Sequence, residues 1–525
     1  MSSYWVVEVF PLGVTAFLPI IVLPILGVIT IRDTSTAYMN DTNFLFMSSM
    51  LIALAVEDCG LHRRVALKFL RYVGSKPQWL MFGFMAITSF ISLWISDTAT
   101  AALMAPIAFA LLETIMIPRM TKKKGSFGVN EEVGIATSAA VEVLDVKRLS
   151  KRDRGICKAM MLIVAHASLI GGTGTINATG PNLIFRQTLY ERYPPEETGI
   201  TYLTWMAFQI PPMILYMLSS WLVVQIQFIG VDYVFRAFKQ PTDEEIEEEK
   251  RTKSAVSKAY EELGPMSFAE KSCLFFFLLT IVLWITCDPK VFPGWINVFK
   301  KGYTSDALAG IFISVLMFVW PKEKPLIFQS GTGDEAYKEK ILSRGALLDW
   351  TRVSQRFQWS IILLLGAGFA ISRSVKMSGL AGWIACQIDT HLSHLPHVWM
   401  QVILSLIVVT MTEFSTNTST ASIFIPIAFN VAEKVGAHPL YFSIPCAIGP
   451  SFSFMLPMAT SSNAIVYETK TLSVMDMASC GIFLNIFCIM FTVLNLNTWA
   501  YWLFDMNTFP KYAQRFTTNL TNSCL

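Results

Sequence analysis

Ser96-Asp97-Thr98-Ala99-Thr100-Ala101, followed by Pro106-Ile107-Ala108, returns 320 residues later as Thr416-Asn417-Thr418-Ser419-Thr420-Ala421, followed by Pro426-Ile427-Ala428. Two further echoes keep the order. Gly60-Leu61 recurs as Gly379-Leu380 after 319 residues, and Ala178-Thr179-Gly180-Pro181-Asn182 recurs as Ala459-Thr460-Ser461-Ser462-Asn463 after 281. One structural unit is therefore written twice. Each copy puts hydroxyl and amide side chains in the middle of apolar stretches, which lipid does not tolerate unless they face a polar cavity. Repeats with helices broken at matching positions point to a secondary transporter.

Composition agrees. The chain has 525 residues, 53% hydrophobic and only 15% charged, with mean hydropathy +0.49; a soluble domain carries about 25% charged residues. The expected class is an all-α polytopic membrane protein whose partners are the bilayer and a small solute, not nucleic acid. The net charge of +3 says little, but its placement says more. Basic residues gather at Arg63, Arg64, Lys68, Arg71 and Lys76, at Arg119 and Lys122 to Lys124, and from Lys147 to Arg154, which assigns these segments to the cytoplasm. The nine cysteines show no paired spacing and read as packing residues. The apolar stretch 14–30 lacks a basic start and reads as a first span rather than a signal peptide. Asn40 and Asn519 head glycosylation sequons. Both are external if the N-terminus is cytoplasmic and the C-terminus extracellular, with an odd number of crossings between.

The whole of 1–525 reads as one transporter unit. A first repeat is expected over 44–229: a span at 44–60, a basic interfacial helix over 60–74, a re-entrant hairpin at 78–118 with its tip at Ser96, a span at 155–190 unwound at Gly171–Asn182, and a span at 201–229. A solvated cytoplasmic linker follows over 230–267. Connecting spans and a cytoplasmic loop fill 268–356. The second repeat, 357–505, runs upside down, with a span at 357–376, an interfacial helix near 379–394, a hairpin at 397–432, a broken span at 438–470 and a last span at 475–504; an extracellular tail, 506–525, ends the chain. Inversion places the tips at Ser96 and Thr416 face to face near the midplane.

A hairpin tip exposes the N-terminus of its second arm, where unpaired N–H groups and the helix dipole favour an anion. Thr98, Asn417, Thr418 and Asn463 are neutral donors suited to carboxylate oxygens, and exposed carbonyls of the unwound segments suit a small cation. The implied substrate is a small anion. No cofactor is expected beyond a coupling Na+ or H+: His62, His166 and the His391, His394, His397 group lack metal-ligand spacing, and Gly171-Gly-Thr-Gly is not followed by the Lys-Ser/Thr of a phosphate loop.

At these residues the chain resembles the divalent-anion:sodium symporter family, solute carrier family 13, whose members include sodium-coupled citrate transporters and INDY-type carriers. Ser96-Asp97-Thr98 and Thr416-Asn417-Thr418 stand at the family's paired Ser-Asn-Thr signature. Leu363 to Ala370, Gly171 to Asn182 and Leu456 to Ile465 follow in family order. The resemblance implies a homodimer with a scaffold and a moving transport domain, an elevator mechanism, and substrates such as citrate and succinate. It extends the substrate site to Ser96, Asp97, Gly180, Asn182, Thr416, Thr460 and Ser461. It also implies cation or proton sites around Ser96, Asp97 and Ala178, and around Thr416, Asn417 and Ala459.

Departures bear on coupling. Asp97 replaces the Asn of sodium-coupled members, Ser461-Ser462 replaces Pro-Pro, and Ala178 replaces a Gly found in some relatives. An ionised Asp97 repels a carboxylate, so it needs a cation, a proton, or a basic partner such as Arg186. These departures favour cation-independent exchange, with sodium-coupled symport as the alternative. A channel needs a continuous polar lining that the apolar hairpin arms lack. A membrane enzyme needs a catalytic partner beside Asp97 or Glu413, and none is evident.

Overall fold

The structure is a computed structural model describing residues 12–72, 76–124, 149–195, 197–231, 243–290, 292–300, 303–324, 345–380, 383, 387 and 395–514. Among these, the elements are helices joined by turns, apart from one isolated bridge between Pro321 and Ala346. Seven helices are long and apolar enough to cross a membrane, and a bent pair makes an eighth.

The first apolar stretch is shorter than expected. It forms α1 (Leu12–Thr15) and α2 (Leu18–Ile25) and stops at Gly27, whose φ is +69°. Among the described residues its helical part, the 13 residues Gly13–Ile25, extends about 20 Å, short of the roughly 30 Å of a hydrocarbon core. The helices α3 (Ile31–Tyr38) and α4 (Asp41–Asp58) follow, capped by Thr30 and Asn40. Asn40, the expected glycan acceptor, accepts from Asn43 N at 2.9 Å and donates to Ala37 O at 3.1 Å, so here it caps a helix. Asn519 lies outside the described residues, as does most of the expected interfacial helix at 379–394.

The first hairpin has arms α6 (Pro77–Ser92) and α7 (Asp97–Lys124), and the preceding helix α5 (Leu61–Tyr72) packs against both. The broken span is α8 (Lys151–Gly172), an unwound segment 173–179, and α9 (Gly180–Arg192). Then α10 (Tyr202–Phe228) starts from a Thr201/Thr204 capping box. The connecting elements are α11 (Asp243–Glu261), α12 (Phe268–Ile285), α13 (Asp306–Val319) and α14 (Trp350–Arg356), the last bent by 58° against α15 (Trp359–Met377). The second hairpin is α16 (His397–Phe414) and α17 (Asn417–Val435). Its broken span is α18 (Pro439–Ile448), an unwound segment to Thr460, and α19 (Ser461–Glu468). The chain closes on α20 (Val474–Leu496) and α21 (Trp499–Leu503).

Helices of the two halves pack reciprocally. The half-helix α9 packs on α17 of the other copy, and α19 packs on α7; α9 also touches α18, as α19 touches α8. Between the copies α10 lies against α20, where the Tyr216 hydroxyl and Thr492 Oγ1 are 2.7 Å apart. Arg192 on α9 bonds Glu433 on α17 through Nε (2.7 Å) and Nη2 (2.5 Å), and the Tyr193 hydroxyl also reaches that carboxylate.

The segment expected as a solvated linker is not free. Its helix α11 docks on α5 and α7, with Val256 buried and Arg71 above the Tyr260 ring at 5.9 Å. Acidic composition concealed this, because the contact is made by its few apolar and aromatic residues.

Within each copy the first hairpin arm lies close along its broken span. Ser89 Oγ donates to Ala167 O at 3.0 Å and Ser92 Oγ to Ser168 O at 2.5 Å. A Cβ on Gly171 meets Ser89 O at 2.5 Å and its Cα at 2.6 Å. Gly171→Ala therefore forces these backbones apart. The expected cost is about 1–3 kcal/mol, seen as a lower melting temperature in detergent; unchanged melting speaks against this packing.

Candidate functional site

The two tips are built alike. Ser96 Oγ accepts from Ala99 N at 3.4 Å and Thr416 Oγ1 from Ser419 N at 3.3 Å, so both cap the second arm of their hairpin. At the next position the copies diverge. Asp97 Oδ1 accepts from Thr98 N at 2.7 Å and from Thr98 Oγ1 at 3.4 Å, which turns the Thr98 donors toward Asp97. Asn417 Oδ1 accepts from Thr412 Oγ1 at 3.0 Å and Ser453 Oγ at 3.1 Å, and its Nδ2 donors have no partner among the described residues.

The unwound segments are held by equivalent asparagines. Asn182 Nδ2 donates to Thr175 O at 2.8 Å, seven residues back; Asn463 Nδ2 donates to Leu456 O at 3.0 Å, also seven back, and to Ser453 O at 2.8 Å. Their amide donors are thus used inside the breaks. What each leaves is a buried Oδ1 acceptor without a partner. Thr460 Oγ1 accepts from Asn463 N at 3.4 Å, whereas Ser461 is exposed. Ala178 and Ala459 are buried beside the breaks.

Contacts bring tips and breaks together. A Cβ on Gly180 meets Thr418 Oγ1 at 2.8 Å, so glycine lets the second tip close on the first break. A Cβ on Gly172 meets Asp97 Cβ at 3.7 Å, placing the first tip on its own break. Arg186 is not the partner of Asp97. Its guanidinium pairs with Asp306 on α13, Nη1 to Oδ2 at 2.7 Å and Nη2 to Oδ1 at 2.9 Å. Among the described residues no Lys or Arg pairs with Asp97.

Sequence reading missed the role of Glu413, which ends the first arm of the second hairpin. Its carboxylate accepts from Phe454 N (3.0 Å), Met455 N (3.2 and 3.1 Å), Leu456 N (3.3 Å) and Asn485 Nδ2 (2.8 Å), so it holds the second break open. A lone Glu in an apolar helix just ahead of a hairpin tip was the available signal. Also missed were Asn177, Thr179, Ser451 and Ser462, whose side-chain polar atoms are buried without partners in the breaks, together with those of Thr100 and Thr420 near the tips. Each such group costs about 1–3 kcal/mol unless something polar meets it.

Two reciprocal tip-and-break pairs, lined with amides, hydroxyls and the Asp97 carboxylate inside an apolar helical bundle, define a multi-pass membrane transporter. The family described as the sodium:sulfate symporter transmembrane region matches residues 1–506. The chain is 58% identical over 529 residues to "Uncharacterized transporter B0285.6" of Caenorhabditis elegans, covering 100% of this chain and 91% of that protein. It is 43% identical over 512 residues to "Sodium-dependent high-affinity dicarboxylate transporter 2", also of Caenorhabditis elegans (97% and 90%). To the mouse "Na(+)/citrate cotransporter" it is 35% identical over 535 residues (99% and 92%). The chain belongs to the sodium:sulfate symporter family, whose named relatives are transporters and not enzymes. Among solved structures, the Alcanivorax borkumensis YdaH transporter is similar at a TM-score of 0.49 with 9% identity, covering 89% of this chain and 86% of that one, a likeness too loose to bear on mechanism.

Because Asn182 and Asn463 spend their donors on their own breaks, Asn182→Ala and Asn463→Ala should each lower stability by about 1–3 kcal/mol. Thermal unfolding of the detergent-solubilised protein checks this. Loss of transport with unchanged unfolding assigns these side chains to the solute instead.

Proposed function

We propose that this chain carries di- and tricarboxylates such as citrate and succinate across the plasma membrane, and that a cation accompanies them. The observation that carries this reading is the second tip: Asn417 Nδ2 and the Thr418 hydroxyl lie beside the first break without partners among the described residues, at a helix N-terminus suited to a carboxylate. Relatives named for dicarboxylate and citrate transport support the substrate class. Of the three ways to neutralise Asp97, pairing with Arg186 is removed by Asp306, which leaves a bound cation or a proton. The relatives' names specify sodium, and nothing in the comparisons supports the cation-independent exchange expected from the departures at Asp97, Ala178 and Ser461. Exchange stays as the second reading because Asp97 itself favours it.

An elevator-like motion, a homodimer, and two inverted repeats belong to the same proposal. So does the topology, with the ends of the first hairpin cytoplasmic and those of the second external. Reciprocal packing supports the repeats, and the basic flanks support the orientation. A cysteine at Lys76 is then labelled from the cytoplasmic side only; external labelling overturns the orientation.

Two measurements test the transport reading. Asn417→Ala and Thr418→Ala should each weaken citrate or succinate uptake about ten- to hundredfold at normal surface expression, the effect of losing a hydrogen bond worth roughly 1.5–3 kcal/mol to a charged group. Uptake into proteoliposomes should collapse when sodium is replaced by choline at fixed pH. Moving one net charge is worth about 2.3 kcal/mol per 100 mV, so uptake with excess cations carries inward current. Persistent, electroneutral uptake stimulated by internal citrate selects exchange instead.

A further inference from the structure

Away from the carboxylate site, a cavity of about 250 Å³ lies where α5, the end of α11 and the start of α12 meet. Its apolar wall includes Leu61, Val65, Met266 and Leu274, and its polar rim is Arg64, Lys68 and Tyr260. Arg64 is already occupied. Its Nε donates to Glu270 Oε1 at 2.7 Å, Nη1 to Gly264 O at 2.8 Å and Nη2 to Leu263 O at 3.0 Å. Lys68, one turn further along α5, is exposed and pairs with no side chain among the described residues. Arg71 lies over the Tyr260 ring without a carboxylate. One cation, Lys68, therefore stands at the rim of an apolar pocket without an anionic partner among the described residues, and Arg71 lies next to it over the rim residue Tyr260.

The opposite edge of the pocket opens onto the exposed apolar face of α12. Leu274 begins a stripe on α12 at four-residue spacing, continued by Leu278 and Val282, which are 51% and 54% exposed. On α5, exposed Phe69 and Tyr72 alternate with exposed Lys68 and Arg71, the pattern of a helix lying at a membrane surface.

We propose that this cavity binds an anionic phospholipid. The headgroup phosphate lies against Lys68 and Arg71, and one acyl chain passes between Leu61, Val65, Met266 and Leu274 and runs on along Leu278 and Val282. Charge complementarity selects an anionic over a zwitterionic headgroup, and the apolar wall with its lipid-facing continuation selects a lipid over a soluble anion. Since α5 packs on both arms of the first hairpin while α11 packs on α5 and α7, the lipid braces the joint between the hairpin and the connecting helices. The site is separate from the carboxylate reading and stands or falls without it.

Native mass spectrometry of the full chain, released from vesicles of phosphatidylcholine with and without phosphatidylserine, reads the bound lipid directly. The wild type should retain phosphatidylserine selectively. Lys68→Gln should retain about fivefold less, whereas Lys470→Gln, at the exposed end of α19, should match the wild type. Val65→Phe, which fills the cavity and leaves the charges in place, should also lose the lipid while eluting as a folded protein. Equal retention of the two lipids, or equal retention by wild type and Lys68→Gln, overturns the proposal. So does displacement of the lipid by soluble glycerophosphoserine, which assigns the pocket to a free anion.

Discussion

Four helix ends inside an apolar bundle leave backbone N–H and C=O groups that water does not reach, and the rest of this structure follows from how they are satisfied. Ser96 and Thr416 cap the two tips. Asn182 and Asn463 close the two breaks by reaching seven residues back to a carbonyl. Glu413 takes up three backbone amides of the second break. Only after these internal obligations are met do the remaining polar groups become available to a solute. Among the described residues these include the Asn417 amide and the acceptors of Asn182 and Asn463, together with side-chain polar atoms of Asn177, Thr179, Ser451 and Ser462 in the breaks.

The two copies solve the same problem with different charges. At the position equivalent to Glu413 the first copy has Leu93, and there Thr175 Oγ1 donates to the Leu93 carbonyl at 2.5 Å. At the position equivalent to Asn417 it has Asp97. Each copy thus carries one carboxylate near its tip, in different settings. Glu413 accepts five hydrogen bonds from four donors, three backbone amides of its own break and Asn485, whereas Asp97 receives only the amide and hydroxyl of the next residue. A carboxylate so lightly compensated is the natural point for a cation or proton to act. This asymmetry is why a repeat in sequence does not imply two identical sites.

Much of this was legible in the sequence, because the repeated Thr-x-Thr-Ala…Pro-Ile-Ala motif and the glycine-rich breaks are local signals whose spacing survives folding. Helix boundaries and the capping residues Ser96 and Thr416 stand close to where the motifs put them. Long-range pairings were not legible. Arg186 sits one turn beyond Asn182 and reads as a neighbour of Asp97, but its partner Asp306 is 120 residues away on α13. Asn463 reads as a donor to solute because its type fits, and only the folded break reveals that Ser453 and Leu456 already hold its amide. The acidic helix α11 reads as solvated because its few buried residues are outnumbered by charges. The first apolar stretch reads as a span because hydropathy does not see the turn after Ile25.

The placement of buried ion pairs bears on any motion the proposed carrier makes. Arg192–Glu433 ties α9 to α17, joining a broken span of one copy to a hairpin of the other, and Arg64–Glu270 ties α5 to α12. If hairpins and broken spans move together, the first pair travels inside the moving body. Arg186–Asp306 differs, since it joins α9 to the connecting helix α13, with side chains only 11% and 8% exposed, and Thr42 of α4 reaches Gln187 beside it at 2.6 Å. Sliding α9 past α13 must separate or drag this pair. Leaving one such charge unpaired in a buried setting costs about 3–5 kcal/mol. In the proposed carrier this crossing, one turn from Asn182, is therefore where a buried pair opposes sliding of α9 past α13, and the proposed solute site between tip and break shares a helix with it.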